Sequence, residues 1–552
     1  MDSQREGTAT NATNLERVRR VSEAPTKPPR ARMAPPRFDV SMVFRGSAGI
    51  PSAGESAGEA ERVEGRPFGL ELDEKARQAY FWIVNNAIIS PAYDIEFNRE
   101  NRAPKTVDFQ GAGATLTLPT DQSYSSFVLL PLLSFLARKR ALFVGGPGRG
   151  KTASAILMGL LAGYEMRDLR RSILHGQPQL TVADMLGNPL PRDLLSAERT
   201  EDIRIAWRRW LDMRVKIVDE YNRIPTRTQS ALLTLVADGY AEILDQVFEC
   251  PDSAWFLTAN DDLGGGTYQV IEALKDRIDV VVRTLNLNCR FTEELLFRIE
   301  SGVKPEDVLP PEIIFTEREL DAIHEQINAM EVPRPVRRRL EFFTAQFEFC
   351  DLASPVMEYK SKDYVRLADS SISQVCKRDC GRDKLKALCS QTENGISVRA
   401  KLALLSFAKA LAWFRGKDEV GLDDVRQVVP WILHEKLKPN EISPFFAQPE
   451  NLGYMLDKVA WLRHLFDLAM EEYERLDLDN NDPVAPIAEQ FSLGLEGLEA
   501  DVVRRRMAEI EVVLKRLSSK TKLLNHVHDD VLALKYYWMR YANYLAWLEW
   551  RN

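Results

Sequence analysis

The segment Ala141-Leu-Phe-Val-Gly-Gly-Pro-Gly-Arg-Gly-Lys-Thr152 restricts this chain more than any other part of its sequence. An apolar, β-rich run leads into a loop with the spacing G-x-x-x-x-G-K-[ST], and the helix-forming run 153–161 follows directly. Within Gly145, Gly146, Pro147, Gly148, Arg149 and Gly150, the glycines let the backbone curl so that its N–H groups surround phosphates. The start of the next helix adds positive potential. Lys151 is then expected to reach the β and γ phosphates of ATP, and Thr152 to hold Mg²⁺. Such a loop joins a buried strand to a helix, which predicts an α/β fold here.

The flanking pattern extends that expectation. Short β-rich runs fall at 141–145, 171–175, 215–219, 255–258 and 280–284, with mostly helical segments between them. Alternation of this kind predicts a parallel sheet with helices on both faces. Val215-Lys-Ile-Val-Asp219-Glu220 is an apolar strand ending in two carboxylates, the chemistry hydrolysis needs beside a phosphate loop. Asp219 is expected to support the Mg²⁺ shell, and Glu220 to orient and deprotonate the attacking water. Trp255-Phe-Leu-Thr-Ala-Asn260 ends in an amide that could position that water or touch the γ phosphate. Arg277, just before the last strand, fits either a surface ion pair or a catalytic guanidinium.

Four segments are expected along the chain: a tail over 1–65, the α/β domain over 66–286, a helical lid over 287–440 and a helical extension over 441–552. The tail is basic, then rich in Gly, Ser and Ala, and cannot bury enough apolar surface to order itself. It reads as a flexible arm or a basic docking arm. Order is expected from near Phe68, with helices over 76–89 and 126–137. Segments 500–515 and 522–550 could pair as a helical hairpin, after a polar linker at 477–486. The aromatic residues Tyr537, Tyr541 and Tyr544 recur at helical spacing, which favours core packing over partner binding. No internal repeat is evident.

Among the 552 residues, charges sum to −8, which argues against a surface devoted to nucleic acid. The longest apolar run, 127–137, is far short of the about 20 residues that span a bilayer. With no apolar core of the signal-peptide kind at the N-terminus, a cytoplasmic protein is expected.

These motifs together resemble the MoxR family of AAA+ ATPases, in the helix-2-insert branch that includes the magnesium chelatase ATPase subunit. Val218-Asp-Glu-Tyr-Asn-Arg-Ile-Pro-Thr-Arg-Thr-Gln-Ser-Ala-Leu-Leu233 is similar to the family's Asp-Glu-x-Asn-Arg-x-Pro-x-x-x-Gln-x-Ala-Leu-Leu block. Gly266-Thr-Tyr-Gln-Val-Ile-Glu-Ala-Leu-Lys-Asp-Arg-Ile278 resembles its Gly-Thr-Tyr-x-x-x-Glu-Ala-x-x-Asp-Arg-Phe, with Ile278 for Phe. Segments 179–187, 238–244 and 396–405 resemble the family's helix-2 approach, pre-sensor hairpin and lid. The resemblance covers roughly 125–440. It implies an AAA+ P-loop sheet with a helical lid, Asn260 as sensor 1, Arg399 as sensor 2, and Arg277 as an arginine finger reaching the neighbouring subunit's ATP. It also implies a homo-oligomer, by family expectation a hexamer. The work implied is ATP-driven remodelling of a protein partner, in some relatives one with a von Willebrand factor A domain, or help in metal-cofactor insertion.

Two other functions compete. A nucleic-acid translocase should carry basic hairpin tips, and segment 238–248 has no Lys or Arg. An ATP-dependent assembly scaffold would not need Asp219, Glu220 and Arg277 together. Cys350, Cys376, Cys380 and Cys389 form a C-x25-C-x3-C-x8-C series that reads as an insertion in the lid. Four thiolates could hold Zn²⁺ or an iron–sulfur cluster, or could be plain reduced thiols. The histidines suggest no site, and His526 and His528 are expected on a solvated helix surface.

Overall fold

The structure is a computed structural model that describes residues 71–88, 92–111, 114–260, 270–302, 304, 307–519, 523 and 525–551. The expected tail lies outside them. Contacts divide the chain into two compact units, residues 1–331 with 402–432, and residues 332–401 with 433–552.

The first unit is built on five parallel strands: β1 (Arg140–Val144), β2 (Leu174–His175), β3 (Val215–Asp219), β4 (Ala254–Ala259) and β5 (Val280–Arg283). Their order across the sheet is β5-β1-β4-β3-β2. A parallel sheet is covered on both faces, so its strands read as continuous apolar runs. All six residues of β4 are buried, which is why this strand was legible in the sequence. The helix Lys151–Leu161 buries Ala155, Met158 and Leu161, and the helix Ser126–Leu136 is buried almost throughout despite Pro131.

One expectation changes here, and one pair of strands was not anticipated. The run 171–175 is a strand only at Leu174–His175, because the helix Met166–Ser172 takes up Arg170 and Arg171 in its last turn. Cations are favourable at a helix C-terminus, and that local preference wins. The segments Lys105–Phe109 and Ala114–Leu118 form an antiparallel hairpin, with Val107 opposite Leu116. Their alternation of apolar and polar residues is a strand signal. No helix of the described residues is long and apolar enough to cross a membrane.

One strand residue breaks the apolar run. Lys216 in β3 is only 1% exposed, with Nζ donating to Met213 O at 2.6 Å and to Ser253 Oγ at 2.9 Å. Burial pushes its ammonium down to about 8, with the Cys250 and Asp212 charges opposing. A folded-state value below the unfolded one means the penalty is complete below about pH 8 and fades as pH rises toward the free-lysine range near 10.4. Lys216→Met is therefore expected to raise stability at pH 7 by about 1–3 kcal/mol. The gain should shrink by pH 10 in urea titrations. A lower urea midpoint for the variant at pH 7 would contradict this account.

The second unit is helical. Helices Ala500–Ser518 and Asn525–Arg551 pair antiparallel, as the ion pair of Arg504 with Glu549 at 2.9 Å requires. Val503, Ile510 and Leu517 meet Val527, Leu534 and Tyr541, two seven-residue series forming one seam. Tyr537 and Tyr544 pack at its edge, as their spacing predicts, while Trp550 is exposed. The segment read as a linker is held in place instead. Asp479 pairs with Arg339 at 2.6 Å and Asp482 with Arg338 at 2.7 Å. His526 and His528 are also not on a solvated surface. They are buried against Phe342 and Phe349, ring centroids 5.0 and 4.9 Å apart, and His528 Nε2 lies 2.9 Å from Met357 O.

Candidate nucleotide site

The sheet order sets the site. β1 lies next to β4 and not next to β2, and ligands of open α/β sheets bind at the carboxyl ends of strands where the order reverses. The phosphate loop leaves β1 at that point. Gly148 and Gly150 have φ of 72° and 76°, and nothing lies within 4 Å of where a Cβ would stand. Gly145 is the tighter position, since a Cβ there would fall 2.2 Å from Thr284 Oγ1 at the end of β5. Arg149 Nη1 donates to Thr284 O at 3.0 Å and fixes the loop from the other side.

The residues singled out in the sequence converge. Lys151 Nζ donates to Gly145 O, to Gly146 O at 2.8 Å and to Asn260 Oδ1 at 2.7 Å. Thr152 Oγ1 donates to Asp219 Oδ1 at 2.7 Å, and Asn260 Nδ2 to Glu220 Oε1 at 2.7 Å. One connected set of polar groups thus joins the loop, β3 and β4. Thr152 and Asp219 present adjoining hard oxygens of the kind Mg²⁺ takes, so the residues fit the ion. Glu220 has φ 53° and ψ 48°, a left-handed conformation uncommon outside glycine. Strain of that kind clusters at functional sites.

Several contributors had no role in the sequence reading. Thr258 Oγ1 donates to Asp219 Oδ1 at 2.7 Å and accepts from Glu220 N at 2.9 Å, so one hydroxyl ties both carboxylate residues together. A Thr two residues before the strand-end amide was the available signal. Arg223 Nε lies 3.1 Å from Glu220 Oε2. His175 Nδ1 lies 3.5 Å from Asp219 Oδ2, a contact that depends on strand register and left no mark in local sequence.

Arg277 makes none of the hydrogen bonds that join this set. Arg277 ends the helix Glu272–Arg277, and its Nη1 bonds back to Ala273 O at 3.0 Å. Ile278 is buried in the core, which accounts for an aliphatic residue there. Residues 261–269, including Gly266 to Gln269 of the finger block, lie outside the described residues. Arg399 is exposed in the first turn of the helix Val398–Phe414, in the second unit.

The metal reading of Cys350, Cys376, Cys380 and Cys389 is not supported. All four are free and half-buried, and among the described residues no group of three or more His, Cys, Asp or Glu is placed to hold a metal. Burial pushes the Cys350 and Cys376 thiols up. Lys362, also buried, donates from Nζ to Thr392 O at 2.6 Å and to Thr392 Oγ1 at 2.7 Å.

Comparison with known proteins agrees with this architecture. Residues 386–451 match the family described as AAA lid domain. The chain is 25% identical to the chaperone MoxR1 of Mycobacterium tuberculosis over 322 residues, which is 57% of this chain and 73% of that protein. It is 23% identical to the uncharacterized protein YeaC of Bacillus subtilis over 313 residues, 56% of this chain and 80% of that protein. A crystal structure of a Cytophaga hutchinsonii protein assigned as an ATPase is also similar, at 18% identity and a TM-score of 0.42, over 60% of this chain and 88% of that one. The two relatives, the matched lid and the ordered motifs support reading the chain as a MoxR-type AAA+ ATPase.

Proposed function

We infer that the chain hydrolyses ATP with Mg²⁺ and uses the turnover, as a ring-forming oligomer, to remodel a protein partner. The observation that carries the hydrolytic part is the joined set Lys151, Thr152, Asp219, Glu220 and Asn260 at the ends of three adjacent strands. Lys151 and the loop N–H groups bind and orient the phosphates. Thr152 and Asp219 hold Mg²⁺, which when bound offsets phosphate charge. Glu220, held by Asn260 and Arg223, takes the proton of the attacking water. Arg277 acts on the neighbouring subunit's nucleotide, and Arg399 senses nucleotide from the lid.

The hairpin of Tyr240–Ile243 with Gln246–Glu249 supports a polypeptide over a nucleic acid as the thing moved. Its tip is Leu244-Asp245, both at positive φ, and Val247 is 57% exposed. Glu242, Asp245 and Glu249 repel phosphates, and residues 240–249 contain no Lys or Arg.

The test is partner capture by Glu220→Gln in the full chain. A protein partner should be retained with ATP, released with ADP, and absent from the Lys151→Ala variant. Equal recovery from Lys151→Ala overturns nucleotide-driven engagement. ATPase stimulation by single-stranded DNA or RNA, with affinity falling steeply in salt, would favour a translocase instead.

A further inference from the structure

β2 is only two residues long, yet it lines the most sensitive part of the site. It pairs parallel with β3 so that His175 stands beside Asp219, and Gly176 N donates to Asp219 O at 2.7 Å. A Cβ on Gly176 would fall 2.1 Å from Glu220 O, an approach no other residue allows. The His-Gly pair is therefore pressed onto the backbone of both site carboxylates. Asp219 Oδ1 is already engaged by the Thr152 and Thr258 hydroxyls, and Oδ2 is the oxygen that faces His175 Nδ1 at 3.5 Å. The carboxylate side chain is 20% exposed and the imidazole 65%, so the ring borders Asp219 from the solvent side.

We propose that His175 is a positioning residue for Asp219. Its ring N–H restrains Oδ2, while Thr152 and Thr258 restrain Oδ1, and the carboxylate is held in the one orientation that serves Mg²⁺. Two hydroxyls hold one oxygen; a donor on the other adds a second point of restraint on the plane of the carboxylate. Partners that orient a metal-binding carboxylate typically change metal affinity by about 10–100-fold when removed, and a half-exposed ring belongs at the lower end. The inference rests on Asp219 being the Mg²⁺-supporting carboxylate.

The experiment titrates Mg²⁺ against binding of a fluorescent ADP analogue to the full chain, with EDTA as the metal-free reference. His175→Ala should need about tenfold more Mg²⁺ for half-saturation, while affinity in EDTA stays within about twofold of wild type. His175→Asn, whose amide N–H can stand near the Nδ1 position, should recover most of the shift. Asp219→Asn separates the two readings. If it leaves the Mg²⁺ requirement unchanged, the assignment of Asp219 fails. If it raises that requirement and His175→Ala does not, the positioning role of His175 fails. Equal weakening with Mg²⁺ and in EDTA, or no recovery by Asn, identifies His175 as structural only and overturns the proposal. Thermal melts of each variant, with lost cooperative melting excluding that variant from the comparison, leave Asn and Ala as independent tests.

Discussion

Glu220→Gln should bind ATP and nearly stop hydrolysing it. The amide keeps the volume of the carboxylate and can still accept from Asn260 Nδ2, which now reaches Glu220 Oε1 at 2.7 Å. It leaves the backbone cost of φ 53° unchanged, since Gln and Glu carry the same Cβ and similar shape. What it loses is basicity and charge. General-base assistance contributes about 10²–10⁴-fold, so kcat should fall by that factor. Lys151 and the loop are untouched, so affinity for a fluorescent ATP analogue should change only a few-fold. Phosphate release measured beside nucleotide binding separates the two. Undiminished turnover would remove Glu220 from the chemistry, and a matching loss of binding would make it a structural residue.

Much of this site was legible because its parts are local. The glycines of the loop encode their positive φ directly, and the apolar runs of β3 and β4 end where a parallel sheet presents its ligand edge. What escaped was set by register and by distant packing. His175 is beside Asp219 only because β2 lies on β3, and a two-residue strand has too little pattern to announce itself. Lys216 sits in an apolar run as if it were solvent-facing, yet two oxygens from flanking loops accept its ammonium inside. His526 and His528 looked solvated because helical spacing says nothing about the Phe342 and Phe349 rings that cover them. The cysteines err the other way. Only Cys376 and Cys380 have the spacing of a metal knuckle, and ligation needs a common point, which sequence does not supply.

Arg277→Ala should reduce ATP turnover by about 10³–10⁵-fold while leaving nucleotide affinity nearly intact, the signature of a guanidinium that acts on transition-state charge. Within its own chain Arg277 bonds to Ala273 O and joins none of the hydrogen bonds that link Lys151, Asp219, Glu220 and Asn260. A finger acting on a neighbour makes a stronger claim than loss of activity, and subunit mixing reads it. A Glu220→Gln subunit has a dead site but an intact finger; an Arg277→Ala subunit has a live site but no finger to lend. Each variant alone is inactive. In a head-to-tail ring assembled at random from equal amounts of both, about a quarter of the sites combine an intact Glu220 with an intact neighbouring Arg277. Turnover should recover to that order after co-assembly. A finger acting within its own chain predicts a mixture no better than the average of its parents, and that result would return Arg277 to the surface ion pairs. Full activity of Arg277→Ala alone would do the same without any mixing.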